Sequence, residues 1–209
     1  CGGGSNSCER VVPQALQTCL AEAGAALATC YNETGEDCGA ENGVIQATLD
    51  TLAADITRAC DDGEWKSLSQ DDLVGRIQNA CHSEANSMAW RSYGGPQGSV
   101  WQTAEAEDKT CMTLAHETGR QLLEDQLTAV NECLAGKNCD RDELQNTRQS
   151  LVNQADQQLI ASCPSLAKTI AVGPLRYAEK AHQQVDCLTA TAHLNAGGLG
   201  LKCGPSHAK

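Results

Sequence analysis

Residues 8–60, CERVVPQALQTCLAEAGAALATCYNETGEDCGAENGVIQATLDTLAADITRAC, decide the fold, because the chain repeats their cysteine spacing. Cys8, Cys30, Cys38 and Cys60 recur as Cys111, Cys133, Cys139 and Cys163. The outer pair is 52 positions apart in both copies and the first interval is 22 in both. An arm of 22 residues is about 33 Å of helix at 1.5 Å per residue. In an antiparallel hairpin, equal arms on either side of Cys30 and Cys38 bring Cys8 and Cys60 level at the base. The spacing therefore predicts the bridges Cys8–Cys60, Cys30–Cys38, Cys111–Cys163 and Cys133–Cys139, each within the α-carbon reach of a disulfide.

Helical periodicity fills the arms. Val12, Leu16, Cys19, Leu20, Ala23 and Leu27 lie on one face of a first helix, expected from Val11 to Cys30. Ile45, Leu49, Leu52 and Ile56 mark a second. Ser69 with Asp72 forms a capping box that opens a third through Leu73, Ile77, Cys81 and Met88. Cys19 and Cys81 sit mid-helix on core faces and are expected to join the first helix to the third. In the second copy, Asp140 with Glu143 caps the return helix, and Gly173-Pro174 precedes a last helix from Leu175 to His193. Cys203 is expected to pin the tail to Cys187. The fold class is all-α: two tandem, disulfide-stapled three-helix units, an internal duplication. The organisation is a tether over 1–7, a helical repeat over 8–90, a glycine-rich aromatic joint over 91–104, a second repeat over 105–194 and an irregular tail over 195–209.

Bulk properties agree with a stapled module. The chain has no Phe and only 3% aromatic residues, so its core buries modest area and covalent closure counts for more. Thirteen cysteines indicate an oxidising compartment. A formal charge of −12 disfavours binding to nucleic acid.

Catalytic and metal motifs are missing. There is no Gly-x-Ser-x-Gly, no His-Glu-x-x-His and no Cys-x-x-Cys. The acidic turns 32–37 and 61–64 lack the alternation of a calcium loop. His182, Cys187 and His193 share the last helix, but the histidines are too far apart along it to hold one ion. Gly94-Gly95-Pro96-Gln97-Gly98 lacks the lysine of a phosphate loop and is read as a hinge. The reading is non-enzymatic, with no cofactor and no metal.

Two features point to partners. Trp90, Tyr93 and Trp101 fall within twelve residues of an aromatic-poor chain. They are read either as a plug packing the two units together or as a binding patch, since Trp and Tyr supply rigid contact area. The other feature is Cys1-Gly2-Gly3-Gly4-Ser5-Asn6-Ser7, a cysteine followed by a flexible tether. It resembles the mature end of a bacterial lipoprotein. The resemblance covers these few residues and implies lipid attachment at Cys1 and a place in the bacterial cell envelope, facing the periplasm or exterior. The function expected is an envelope-anchored structural or accessory component of a larger assembly, with other subunits or copies of itself as partners. The alternative is a small-molecule or peptide-binding module with a groove at the joint.

Overall fold

A computed structural model describes residues 7–136 and 138–203. Cys1, the tether up to residue 6, Lys137 and the end of the tail lie outside them. The described residues form helices α1 (Ser7–Glu33), α2 (Gly43–Ala59), α3 (Gln70–Tyr93), α4 (Ser99–Thr103), α5 (Ala106–Ala135), α6 (Arg141–Ser162), α7 (Leu166–Ile170) and α8 (Pro174–Ala192). A 3₁₀ turn follows at Ala196–Leu199, and there is no strand among the described residues.

The helix ends follow local chemistry. The Ser69 hydroxyl accepts from the Asp72 amide at 3.1 Å, and Asp140 accepts from the amides of Asp142 and Glu143 at 2.9 and 3.0 Å. Asn42 caps α2 through the Val44 amide, and Pro174 takes the first turn of α8, where its missing N–H costs nothing. Helix α3 stops at Gly94, whose φ of 78° suits glycine. Helix α1 starts earlier than its apolar periodicity suggests and carries Pro13 inside it. The base explains this: the Ser7 hydroxyl donates to the Ala59 carbonyl at 3.0 Å, and Cys8 is bonded to Cys60.

Six disulfides join Cys8–Cys60, Cys19–Cys81, Cys30–Cys38, Cys111–Cys163, Cys133–Cys139 and Cys187–Cys203, with α-carbons 4.6 to 6.3 Å apart. They are the pairs the arm lengths and helix faces give. Three lie before residue 94 and three after residue 99, and none crosses between.

Helices α1, α2 and α3 pack as one bundle and α5, α6 and α8 as another. The two are not strung end to end. The His116 Nε2–H donates to the Gly24 carbonyl at 2.8 Å, while Gln17 bonds Thr128 and Asn131, each at 2.8 Å. Positions thus fall along α1 as they rise along α5, so the bundles lie side by side and inverted. Helices α1, α3, α5 and α8 form the inner layer, with α2 and α6 on its flanks. One apolar core runs through the first bundle and continues into Met112, Leu123 and Leu127 of α5 and Val185, Leu188 and Ala192 of α8. The second bundle otherwise has three smaller clusters.

Candidate functional site

The aromatic joint does not form one patch. Tyr93 is fully buried and stacks on Tyr31, with ring centroids 3.8 Å apart. Trp101 meets both rings edge-on, at 5.7 and 5.4 Å, and Lys109 Nζ lies 5.7 Å from its centroid. Trp90 points the other way and is 59% exposed. The plug therefore consists of Tyr31, Tyr93 and Trp101, and it closes the far end of the first bundle.

The glycine-rich stretch is tied rather than hinged. Tyr31 Oη donates to the Gly95 carbonyl at 2.8 Å, and the Cys38 amide donates to the Pro96 carbonyl at 2.9 Å. A Cβ on Gly98, at φ +68°, would fall on the Gly35 carbonyl, and one on Gly35, at φ +68°, would fall on the Trp101 ring. A side chain at either position would collide.

Behind the plug, at the seam between bundles, lies a buried polar cluster. Arg91 Nη2 donates to Glu84 Oε1 at 2.8 Å, and Ser92 shares a 2.7 Å hydrogen bond with the Tyr177 hydroxyl. All four side chains are almost wholly removed from water. Burial pushes the Glu84 carboxyl above its ordinary range, with Arg91 pulling against it, and burial likewise raises Tyr177. His116, 5.1 Å from Tyr93 by ring centroid, is pushed down to about 4 by burial and stays neutral. Its partner is a carbonyl, so its Nε2 carries the proton.

A second polar cluster lies inside the second bundle. Arg148 is fully buried and donates from Nη2 to Asp186 Oδ1 at 2.6 Å and from Nε to Gln126 Oε1 at 3.3 Å. The same Gln126 oxygen accepts from His182 Nδ1–H at 2.8 Å. The other carboxylate oxygen of Asp186 accepts the Lys202 amide at 2.7 Å, so the tail completes the cluster. Burial lowers His182, and Arg148 adds to the effect. His193 bonds Asn131 at 2.8 Å and is held down at about 4 by burial. His182, Cys187 and His193 thus have three separate partners. Among the described residues no group of three histidine, cysteine or acidic side chains is placed to hold a metal ion.

Tyr31, Glu84, Arg91, His116, Gln126, Arg148, Tyr177 and Asp186 escaped the sequence reading. Their signal was phase. Glu84 stands three residues after Cys81 and four before Met88, and Arg148 stands four after Leu144 and four before Val152. A charged group in step with an apolar face must find a partner inside.

An open cleft of about 470 Å³ lies away from the joint, near the base of the first bundle, between Val11, Gln14 and Thr18 of α1 and Asp55 and Arg58 of α2. Among the described residues no helix is long and apolar enough to cross a membrane. Compared with protein-family models, with curated proteins and with solved structures, the chain finds no match in any of the three.

Proposed function

We propose that this chain is a non-enzymatic structural or accessory component of a larger protein assembly in the bacterial cell envelope, anchored through lipid on Cys1. The observation that carries the reading is the cysteine ledger: the six disulfides use every cysteine of the chain except Cys1. A thiol left over in an oxidising compartment calls for a covalent fate of its own, and thioether attachment of a diacylglyceryl group supplies one. The glycine-rich residues that follow provide reach from a membrane surface.

The buried ionisable groups support a scaffold role. Glu84, His116 and Arg148 find their partners in neighbouring helices or along their own, and they spend their chemistry on holding helices in place. The exposed Trp90 is the largest apolar side chain offered to a partner.

Intact-mass analysis of the protein purified from its native membranes tests the anchor. The expected result is a diacylglyceryl adduct on Cys1, with the other twelve cysteines oxidised. Cys1 unmodified, or paired with another cysteine, would sink the reading. Mild-detergent extraction should recover the chain with a stoichiometric protein partner or as an oligomer, and a monomer free of partners speaks against the assembly role.

A further inference from the structure

The six disulfides differ in how deeply they are set. Cys8–Cys60, Cys19–Cys81 and Cys111–Cys163 are buried at both residues, and Cys30–Cys38 at one. Cys133–Cys139 is half-buried. Cys187–Cys203 joins a half-buried residue to an exposed one, Cys203. It also differs in what it holds. The other five fasten helices to each other or close the turns between them, whereas this one fastens the tail.

The tail acts as a cover. Leu199 is buried against Val130 of α5 and Leu144 of α6. Its carbonyl accepts from Gln145 Nε2 at 3.5 Å, and Gly200, at φ +64°, turns the chain beside the Arg141 guanidinium. Two residues on, the Lys202 amide reaches Asp186 Oδ2. Beneath lies Arg148, whose Nη1 is buried with no hydrogen-bond partner. A buried guanidinium with an unused donor is costly, and its one carboxylate partner depends on the tail for its second hydrogen bond.

We propose that Cys187–Cys203 is a redox-sensitive clasp, and that its reduction lifts the tail from the end of the second bundle and uncovers the Arg148–Asp186 pair. The reductant is a dithiol. One of its thiolates attacks the exposed Cys203 Sγ, the Cys187–Cys203 bond breaks, and Cys187 leaves as a thiolate that takes up a proton. The second thiol of the reductant then attacks the mixed disulfide and releases Cys203 as a thiol. Two electrons and two protons pass to the protein, and the dithiol becomes a disulfide. Leu199 then loses its covalent hold over Val130 and Leu144, and Asp186 Oδ2 turns from the Lys202 amide to water. The opened end combines an apolar floor with a cationic group. The clasp does not depend on the anchor at Cys1 or on any partner.

Graded dithiothreitol treatment of the full-length oxidised protein, without denaturant, tests this. Thiols are trapped with iodoacetamide and mapped, and amide hydrogen exchange and phenylglyoxal labelling of Arg148 are followed in parallel. Cys187 and Cys203 should be trapped at least about tenfold faster than any other pair, as exposure governs access. Over the same interval exchange at 196–203 should rise at least about tenfold, Arg148 should become labelled, and exchange across α1–α3 should stay unchanged. Another disulfide opening first would overturn the proposal. So would selective opening of this one with Lys202 still protected and Arg148 still unlabelled. The Cys187→Ser/Cys203→Ser double variant should show the opened exchange and labelling without reductant, and a closed pattern in that variant counts against the clasp.

Discussion

The two bundles fasten their middles by opposite means. In the first, Cys19 and Cys81 bond α1 to α3 within a continuous apolar core that includes Leu16, Leu20 and Ile77. In the second, Arg148 of α6 grips Asp186 of α8, with Gln126 of α5 and His182 around them, and the apolar residues are split among small clusters. A disulfide acts on the unfolded chain by restricting it and asks little of its surroundings. A buried ion pair acts on the folded chain, and it must first recover the solvation both charges give up. A three-helix bundle can therefore be held by covalent closure or by polar specificity, but the second tolerates far less damage.

Breaking the ion pair on one side is the harshest test of that contrast. Asp186→Ala strands a buried guanidinium and should cost about 3–5 kcal/mol, read as a lower urea midpoint. The joint replacement Arg148→Met/Asp186→Leu should instead lie close to the parent or above it. A double variant as unstable as Asp186→Ala would show that the pair contributes net stability. Next in size, Cys19→Ala/Cys81→Ala should lower stability by about 2–4 kcal/mol while circular dichroism keeps its helical signature.

Acid should act selectively. His116 and His193 have folded-state pKa values near 4, below the ordinary 6.5, so the unfolded chain takes up protons first as pH falls. Their contribution is complete above pH 6.5 and declines down to about pH 4, with a slope of roughly 1.4 kcal/mol per pH unit for each histidine. His116→Gln should remove that residue's share, roughly 1.4 kcal/mol per pH unit, and an unchanged slope would point to other groups. Both residues belong to the second half, and acid should loosen hydrogen-exchange protection there and at the seam before it does in α2. The smallest effect is expected at Trp90. Trp90→Ala should leave thermal stability within about 0.5 kcal/mol, because the ring is mostly in solvent, yet reduce recovery of any partner.

Helix positions and cysteine pairing were legible because both obey one-dimensional rules. Equal arms level Cys8 with Cys60, and Ser69 or Asp140 caps whatever helix follows it. The inverted packing of the bundles was not legible, since no local pattern says where α5 turns after Thr103. The hinge expectation failed, because Tyr31 and Cys38 tie down Gly95 and Pro96 from more than fifty positions away. Trp65 illustrates the same gap. It sits in a turn among acidic residues, yet it is buried in the first core. Trp90 and Trp101 looked equivalent in sequence, and the ten positions between them contain the chain reversal that sends one outward and the other in.

Since no disulfide spans residues 94–99, the covalent graph of the protein is two closed networks linked by a single strand of peptide. One proteolytic cut at the exposed Gln97 would turn one chain into two non-covalently associated halves, held by the seam alone. The halves could be parted in denaturant without touching a sulfur atom. Remixed, they would report the strength of the seam as an ordinary dissociation constant, separate from the stability of either half.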